Sequence, residues 1–205
     1  MNILQIDSSI LGGNSVSRQL TTELAKKIQQ DNPGATLIVR DLAAEPVAHL
    51  SGTYLGAGHV DPSQHSAELQ HDIALSTKVL EEFLAADTVI IGAPMYNFTI
   101  PTQLKAWIDR LAVPGKTFQY TAEGPKGLAG DKKIIVVSSR GGFYGADTAM
   151  GPLDHQETYL KTIMGFFGIT NVDFIRAEGV AISPEQKTKS LDSAKQEIAN
   201  CNKAA

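Results

Sequence analysis

The residues Met95-Tyr96-Asn97-Phe98 follow directly on Thr88-Val89-Ile90-Ile91-Gly92-Ala93-Pro94, a short apolar run rich in β-branched side chains. Such a run fits a strand buried on both faces, as in a parallel sheet. The loop after it then lies at the carboxyl edge, where open α/β sheets bind their ligands. Two large side chains in a loop leave apolar area in water unless something covers it. A flavin ring is a suitable cover, since its faces are broad and apolar and its edge meets backbone N–H and C=O groups. Packing beneath a neighbouring loop is the competing reading, and this segment alone weighs the two equally.

Two further segments carry chemistry. Asp7-Ser8-Ser9-Ile10-Leu11-Gly12-Gly13-Asn14-Ser15-Val16-Ser17-Arg18 puts hydroxyls and backbone N–H groups at a helix start. Unpaired donors and the helix dipole stabilise an anion there. Ser15 is explained equally by N-capping, Ser9 and Ser17 less well. Arg18 opposes the dipole by only about 0.3–1 kcal/mol, and a bound phosphate would reverse that sign. No P-loop lysine and no G-x-G-x-x-G is present, so the segment reads as a cradle for one phosphate without a divalent metal. The second segment, Ser138-Ser139-Arg140-Gly141-Gly142-Phe143-Tyr144-Gly145, has adjacent glycines that let the backbone approach a ligand closely. A flexible surface turn is its plainer reading.

The elements that must position these loops alternate along the chain. Strands are expected at Ile3–Ile6, Thr36–Val39, Thr88–Ile91, Lys133–Ser138 and Val172–Ile175. Helices are expected over Ser15–Gln30, Ser66–Ala85, Pro101–Leu111, Pro152–Phe167 and Pro184–Asn200. Leu20, Leu24 and Ile28 share a face of the first, and Leu104, Trp107, Ile108 and Leu111 share a face of the third. The pattern predicts an α/β fold, a flavodoxin-like doubly wound five-stranded parallel sheet with helices on both faces, formed by one domain over 1–205. Each of the three loops follows a strand, so all three meet at one edge, the first two flanking the switch point. A phosphate cradle beside an aromatic loop and a glycine loop fits FMN. Two segments exceed this minimal pattern. Leu42–Pro62 is long and irregular, and Val113–Asp131 contains a short strand, Thr117–Tyr120, followed by turns at Glu123–Gly127. Phe118 and Tyr120 point to one side of that strand, and on the segment alone covering a satellite core is their slightly favoured reading.

The remaining composition narrows the class. A net charge of -4 gives no basic patch for nucleic acid or anionic membrane, and 42% hydrophobic with 20% charged residues is ordinary for a globular protein. The single cysteine, Cys201, cannot form an internal disulfide; with no secretory signal and no apolar run of membrane length, a cytoplasmic location is expected. His65 and His71 fall about 120° apart around a helix, and no histidine pair has metal-ligand spacing. A low-molecular-weight phosphatase would need a cysteine in the first loop, where serines stand. A receiver domain would need an aspartate ending the third strand, where Ala93-Pro94 stands.

Along essentially its whole length the chain resembles the FMN-dependent NADH-azoreductase family, which also reduces quinones. The most specific parts are Ala93-Pro94-Met95-Tyr96-Asn97-Phe98, Thr117-Phe118-Gln119-Tyr120 and Ser139-Arg140-Gly141-Gly142. The resemblance implies FMN phosphate contacts at Ser9, Ser15, Val16 and Ser17. Val16 departs from the polar residue often found there, and its backbone N–H can still serve. Isoalloxazine contacts are implied at Met95, Tyr96, Asn97 and Phe98 and at Ser139, Arg140, Gly141 and Gly142. A homodimer with active sites at the subunit interface is implied too. The expected activity is hydride transfer from NAD(P)H through FMN to quinones and azo compounds, in a ping-pong pattern with no catalytic side chain. Phe98, Phe118, Tyr120 and Phe143 are expected to shape the acceptor slot, and Asn97 with the loop amides near Gly141 and Gly142 to polarise the flavin edge. A flavodoxin-type electron carrier, or an FMN-binding module without turnover, is the alternative.

Overall fold

A computed structural model describes residues 1–201 of the chain. Five strands, β1 (Asn2–Asp7), β2 (Thr36–Asp41), β3 (Thr88–Pro94), β6 (Lys133–Ser139) and β7 (Val172–Ala177), form one sheet in the order β2-β1-β3-β6-β7. Every neighbouring pair is parallel. The helices are α1 (Val16–Asp31), α2 (Gly52–Gly56), α3 (Ala67–Ala85), α4 (Thr102–Leu111), α5 (His155–Phe166) and α6 (Pro184–Asn200), and a separate hairpin pairs β4 (Phe118–Thr121) with β5 (Gly124–Gly127). This is the expected doubly wound sheet. The last four residues of the expected 1–205 domain lie outside the described residues.

Side-chain alternation along the strands explains the two cores. Leu4, Ile6, Val89, Ile91, Ile134 and Val136 face one side, where Val79, Phe83, Trp107, Leu160 and Met164 cover them. Ile3, Ile90, Ile135, Val137 and Ile175 face the other, under Leu20, Leu24, Ala194 and Ile198. β3 is buried at all seven positions because it lies between both cores and two neighbours. None of the described helices is long and apolar enough to cross a membrane.

Several boundaries differ from expectation for identifiable reasons. Pro101 is the residue before α4 rather than its first turn. Pro152 and Leu153, expected to open a helix, belong instead to a 3-10 turn over Gly151–Leu153. α5 starts after it because the Asp154 carboxylate accepts from the N–H groups of Gln156 and Glu157. The helix ends as expected at Gly168, whose φ of 87° lets its N–H reach Gly165 O at 2.9 Å while Ile169 N reaches Met164 O at 2.9 Å. Glu123–Gly127, read as turns, contains a second strand instead. A Cβ on Gly127 would lie 2.0 Å from the Gly168 nitrogen, so only glycine lets β5 dock on the end of α5.

The long Leu42–Pro62 segment is organised by a buried cation. Arg110 of α4 is 1% exposed and donates to Ala48 O at 2.8 Å, His49 O at 3.1 Å, Ser76 Oγ at 2.9 Å and Asp72 Oδ2 at 3.1 Å. Its guanidinium also lies 4.0 Å from the centroid of the Tyr54 ring. Two backbone carbonyls of an irregular segment are thereby satisfied inside the protein.

Candidate functional site

Three strand ends converge at the carboxyl edge: Asp7 of β1 pairs with Gly92 of β3, and Pro94 of β3 pairs with Ser139 of β6. β1 and β3 are neighbours from which the chain winds in opposite directions, so their loops diverge and leave a crevice.

At β1, Ser8 Oγ donates to Gly92 O at 2.6 Å and ties the first loop to β3. Ser15 caps α1, its hydroxyl accepting from Arg18 N at 3.2 Å and lying 3.1 Å from Ser17 Oγ. Ser9 Oγ accepts from Leu11 N at 3.3 Å and lies 3.3 Å from the Tyr96 hydroxyl. Ser9, Ser15, Val16 and Ser17 are thus gathered at one helix start, where the first N–H groups have no intrahelical partner. Arg18 turns away, and its Nη1 meets Asp41 at 2.6 Å, so the cation that opposes the dipole is neutralised at the end of β2. Beneath the loop, burial pushes the Asp7 carboxyl above its usual range, against the Thr21 and Gln5 hydrogen bonds and the Arg18 charge, which lower it.

The loop after β3 is a tight two-residue turn. Tyr96 N donates to Thr99 O at 2.9 Å and Thr99 N to Tyr96 O at 3.1 Å, with Asn97 at φ 48° and Phe98 at φ 71°. Both central residues are left-handed, as in a type I′ turn. Asn tolerates this; for Phe it costs of order 1–3 kcal/mol and persists only where the surroundings impose it. Those surroundings are visible: His155 N donates to Phe98 O at 3.1 Å, and the Phe98 ring meets Tyr144 edge-on at 6.2 Å. Phe98 remains 41% exposed, with its open face free for a flat ligand.

The β6 loop supplies the polar edge. Met95 N donates to Ser139 O at 2.8 Å, joining it to the aromatic turn. Gly141 and Gly142 direct their carbonyls to Ala181 N at 3.2 Å and Gly179 N at 2.9 Å, while among the described residues their own N–H groups have no partner. Arg140, expected to touch the isoalloxazine, is 1% exposed with its side chain turned into the protein. Its Nη2 lies 2.6 Å from Glu157 Oε1 and 2.9 Å from Asp154 Oδ2, its Nη1 3.2 Å from Glu178 Oε1. Burial raises the Glu157 carboxyl, but the Arg176 hydrogen bond and the Arg140, Arg176 and Lys161 charges outweigh it and hold it below the ordinary value.

The remaining expected residues are dispersed. Phe143 folds over Gly179 toward α6; a Cβ there would lie 2.9 Å from its Cζ, so Tyr144 and not Phe143 meets Phe98. Phe118 is buried against Phe166 at 4.5 Å, while Tyr120 is 75% exposed. The hairpin that carries them docks at the far end of α5, roughly 18 Å along that helix from the aromatic turn. One chain therefore does not bring Phe118 and Tyr120 to the three loops. Ser8, Tyr144, Gln156 and Glu157 escaped the sequence reading. Ser8 carried a signal as a hydroxyl in the first loop, and Tyr144 as an aromatic in the glycine loop. Among the described residues no group of three or more His, Cys, Asp or Glu side chains is placed so that it could hold a metal ion. Cys201 lies at the end of α6, its thiol pushed up by burial.

A crevice at the switch point, with an anion cradle, an aromatic turn and a glycine loop, defines a doubly wound nucleotide- or flavin-binding protein. The chain belongs to the flavodoxin-like fold family, whose model matches residues 1–201, and within it to the FMN-dependent NADH:quinone oxidoreductases. It is 54% identical over 196 residues to a protein of Bradyrhizobium diazoefficiens named FMN-dependent NADH:quinone oxidoreductase 2, covering 96% of each chain. A Rhizobium meliloti protein named FMN-dependent NADH:quinone oxidoreductase is 54% identical, covering 98% of this chain and 97% of its own. Among solved structures, the azoreductase from Bacillus anthracis superposes with a TM-score of 0.86 at 31% identity, over 98% of this chain and 97% of that one.

Proposed function

We propose that this protein is an FMN-dependent oxidoreductase that transfers hydride from NAD(P)H to quinones and azo compounds, working as a cytoplasmic homodimer. The observation that carries the reading is the pairing, across one crevice, of the strained turn presenting Phe98 with the N–H groups of Gly141 and Gly142, which have no partner among the described residues. The residues fit FMN chemically. Ser9, Ser15, Ser17 and the first N–H groups of α1 would hold a phosphate without a lysine or a metal. Met95, Tyr96, Asn97 and Phe98 would line the ring, and the Ser139–Gly142 backbone would meet its polar edge. When bound, FMN supplies a two-electron carrier able to take and give hydride.

The protein's own contribution is orientation. Two loops joined by the Met95 N to Ser139 O bond would hold the ring, and the exposed Phe98 with Tyr144 would bound the substrate space beside it. Donor and acceptor would use that space in turn, a ping-pong order that calls for no catalytic side chain. Phe118 and Tyr120 sit too far away to act within their own chain, which supports a second copy bringing its hairpin to the slot. The names of the relatives favour NADH as donor.

The test is a spectrum followed by turnover. The purified protein should be yellow, release FMN rather than FAD, and oxidise NADH with a quinone and no partner protein. FMN binding without turnover would make it a carrier or a binding module instead.

A further inference from the structure

Arg140 and Gln156 have no role in the hydride chemistry, yet both are buried directly behind the site. Gln156 is 0% exposed. Its Nε2 donates to Ala93 O at 2.9 Å, two residues before Met95, and its Oε1 accepts from Arg140 Nε at 3.2 Å, immediately before Gly141. One carboxamide therefore touches the stems of both flavin-facing loops. The neighbouring residue on α5, His155, holds the carbonyl of the strained Phe98 through its N–H at 3.1 Å. Arg140 carries the connection outward: Nη1 meets Glu178 on the loop after β7, and Glu178 Oε1 also accepts from Tyr144 N at 2.8 Å.

We propose that Gln156 and Arg140 are positioning residues: a buried strut that fixes the Gly141–Gly142 amides relative to the Met95–Phe98 turn, and so sets the seat of the flavin ring. The inference rests on the proposed FMN function. Gln156 suits the task because an amide offers a donor and an acceptor at opposite sides of one rigid group. Arg140 suits it because its planar fork reaches three carboxylates and the amide at once. These buried bonds also make the strut stiff, since a slip would leave the bonded donors unsatisfied.

The experiment compares the parent with Gln156→Met, which keeps volume and removes both hydrogen bonds, and with Arg140→Lys, which keeps charge and loses the fork. Amide exchange on the FMN-free proteins is read first. In Gln156→Met, exchange should quicken in residues 94–99 and 140–145 together. Quickening confined to the first turn of α5 would overturn the strut. On the FMN-loaded proteins, the flavin midpoint potential and visible absorption should shift. The rate constant for reduction by NADH should fall by about ten- to a hundredfold, the scale of a misplacement near 1 Å, with KM little changed. An unchanged potential and rate in a folded Gln156→Met protein would overturn the proposal. If Gln156→Met does not fold, the same readings on Arg140→Lys decide. A parent protein that binds no FMN would instead sink the function reading, leaving the exchange result to stand for or against the strut.

Discussion

Single residues at the site act through charge and hydrogen-bond geometry. Ser17 lies at the start of α1 with its hydroxyl 3.1 Å from Ser15 Oγ. Ser17→Asp should weaken FMN binding severely, since a carboxylate would face the phosphate. Ser17→Ala should cost only about 1–3 kcal/mol of binding, the loss of one donor to a charged acceptor. Titration of FMN into the stripped proteins checks both, and an unchanged affinity in the aspartate variant would remove Ser17 from the site. Glu157 behaves differently, because its partners are the buried Arg140 and the half-exposed Arg176. Its folded pKa is depressed, so its stabilisation is present above the unfolded glutamate value and is lost as pH falls through the folded value. Glu157→Gln should destabilise at neutral pH by roughly 3–5 kcal/mol, the cost of unpairing a buried charge. The gap should begin to narrow as pH falls below the unfolded glutamate value, about 4.3, and close only once pH has passed below the depressed folded value, and denaturant melts at several pH values would show it. A constant gap down to pH 2 would separate Glu157 from acid unfolding.

At the scale of elements, the aromatic turn is the informative one. Its backbone is left-handed at Asn97 and Phe98, and α5 holds it there through His155. Two variants that both delete the ring isolate the backbone cost. Phe98→Gly should be more stable than Phe98→Ala by about 1 kcal/mol, because alanine keeps the steric penalty at positive φ and glycine does not. In an unstrained loop the order would be reversed, since glycine gains more entropy on unfolding. Thermal melts of the FMN-free variants report the sign directly. Both should reduce quinones more slowly, having lost the exposed face of the ring.

For the molecule as a whole, the β4–β5 hairpin poses the question of assembly. It displays Tyr120 at 75% exposure and sits at the opposite end of the sheet from the crevice. A symmetric dimer, the commonest closed assembly, would let each hairpin serve the other chain's site. Sedimentation at micromolar concentration should therefore give a species of twice the 21.9 kDa chain mass. Tyr120→Ala should keep FMN bound and change the rate or preference among quinone and azo acceptors. A monomer with full activity would end this reading.

The sequence by itself determined the sheet and its strand order class, both helix faces, and the three loops at one edge. Those follow from local periodicity and from the rule that parallel crossovers share a hand, which need no knowledge of distant partners. It also marked Ser9, Ser15, Ser17, Met95–Phe98 and Gly141–Gly142 as candidates, because each has an ordinary local reading but all three loops follow strands of one parallel sheet and so share an edge. Only the tertiary structure decided where long side chains go. Arg140 reads as a ligand contact beside its glycines, yet Glu157, Asp154 and Glu178 converge on it from α5 and its approach and from the β7 loop, and draw it inward. Arg18 reads as facing an anion, yet Asp41 from β2 claims it. Phe118, read from its own segment as cover for a satellite core and from the family resemblance as a slot residue, is packed within its own chain against Phe166. In each case the deciding partner is remote in sequence or one of several equivalent acids, and ion pairing and burial are settled only when the elements pack.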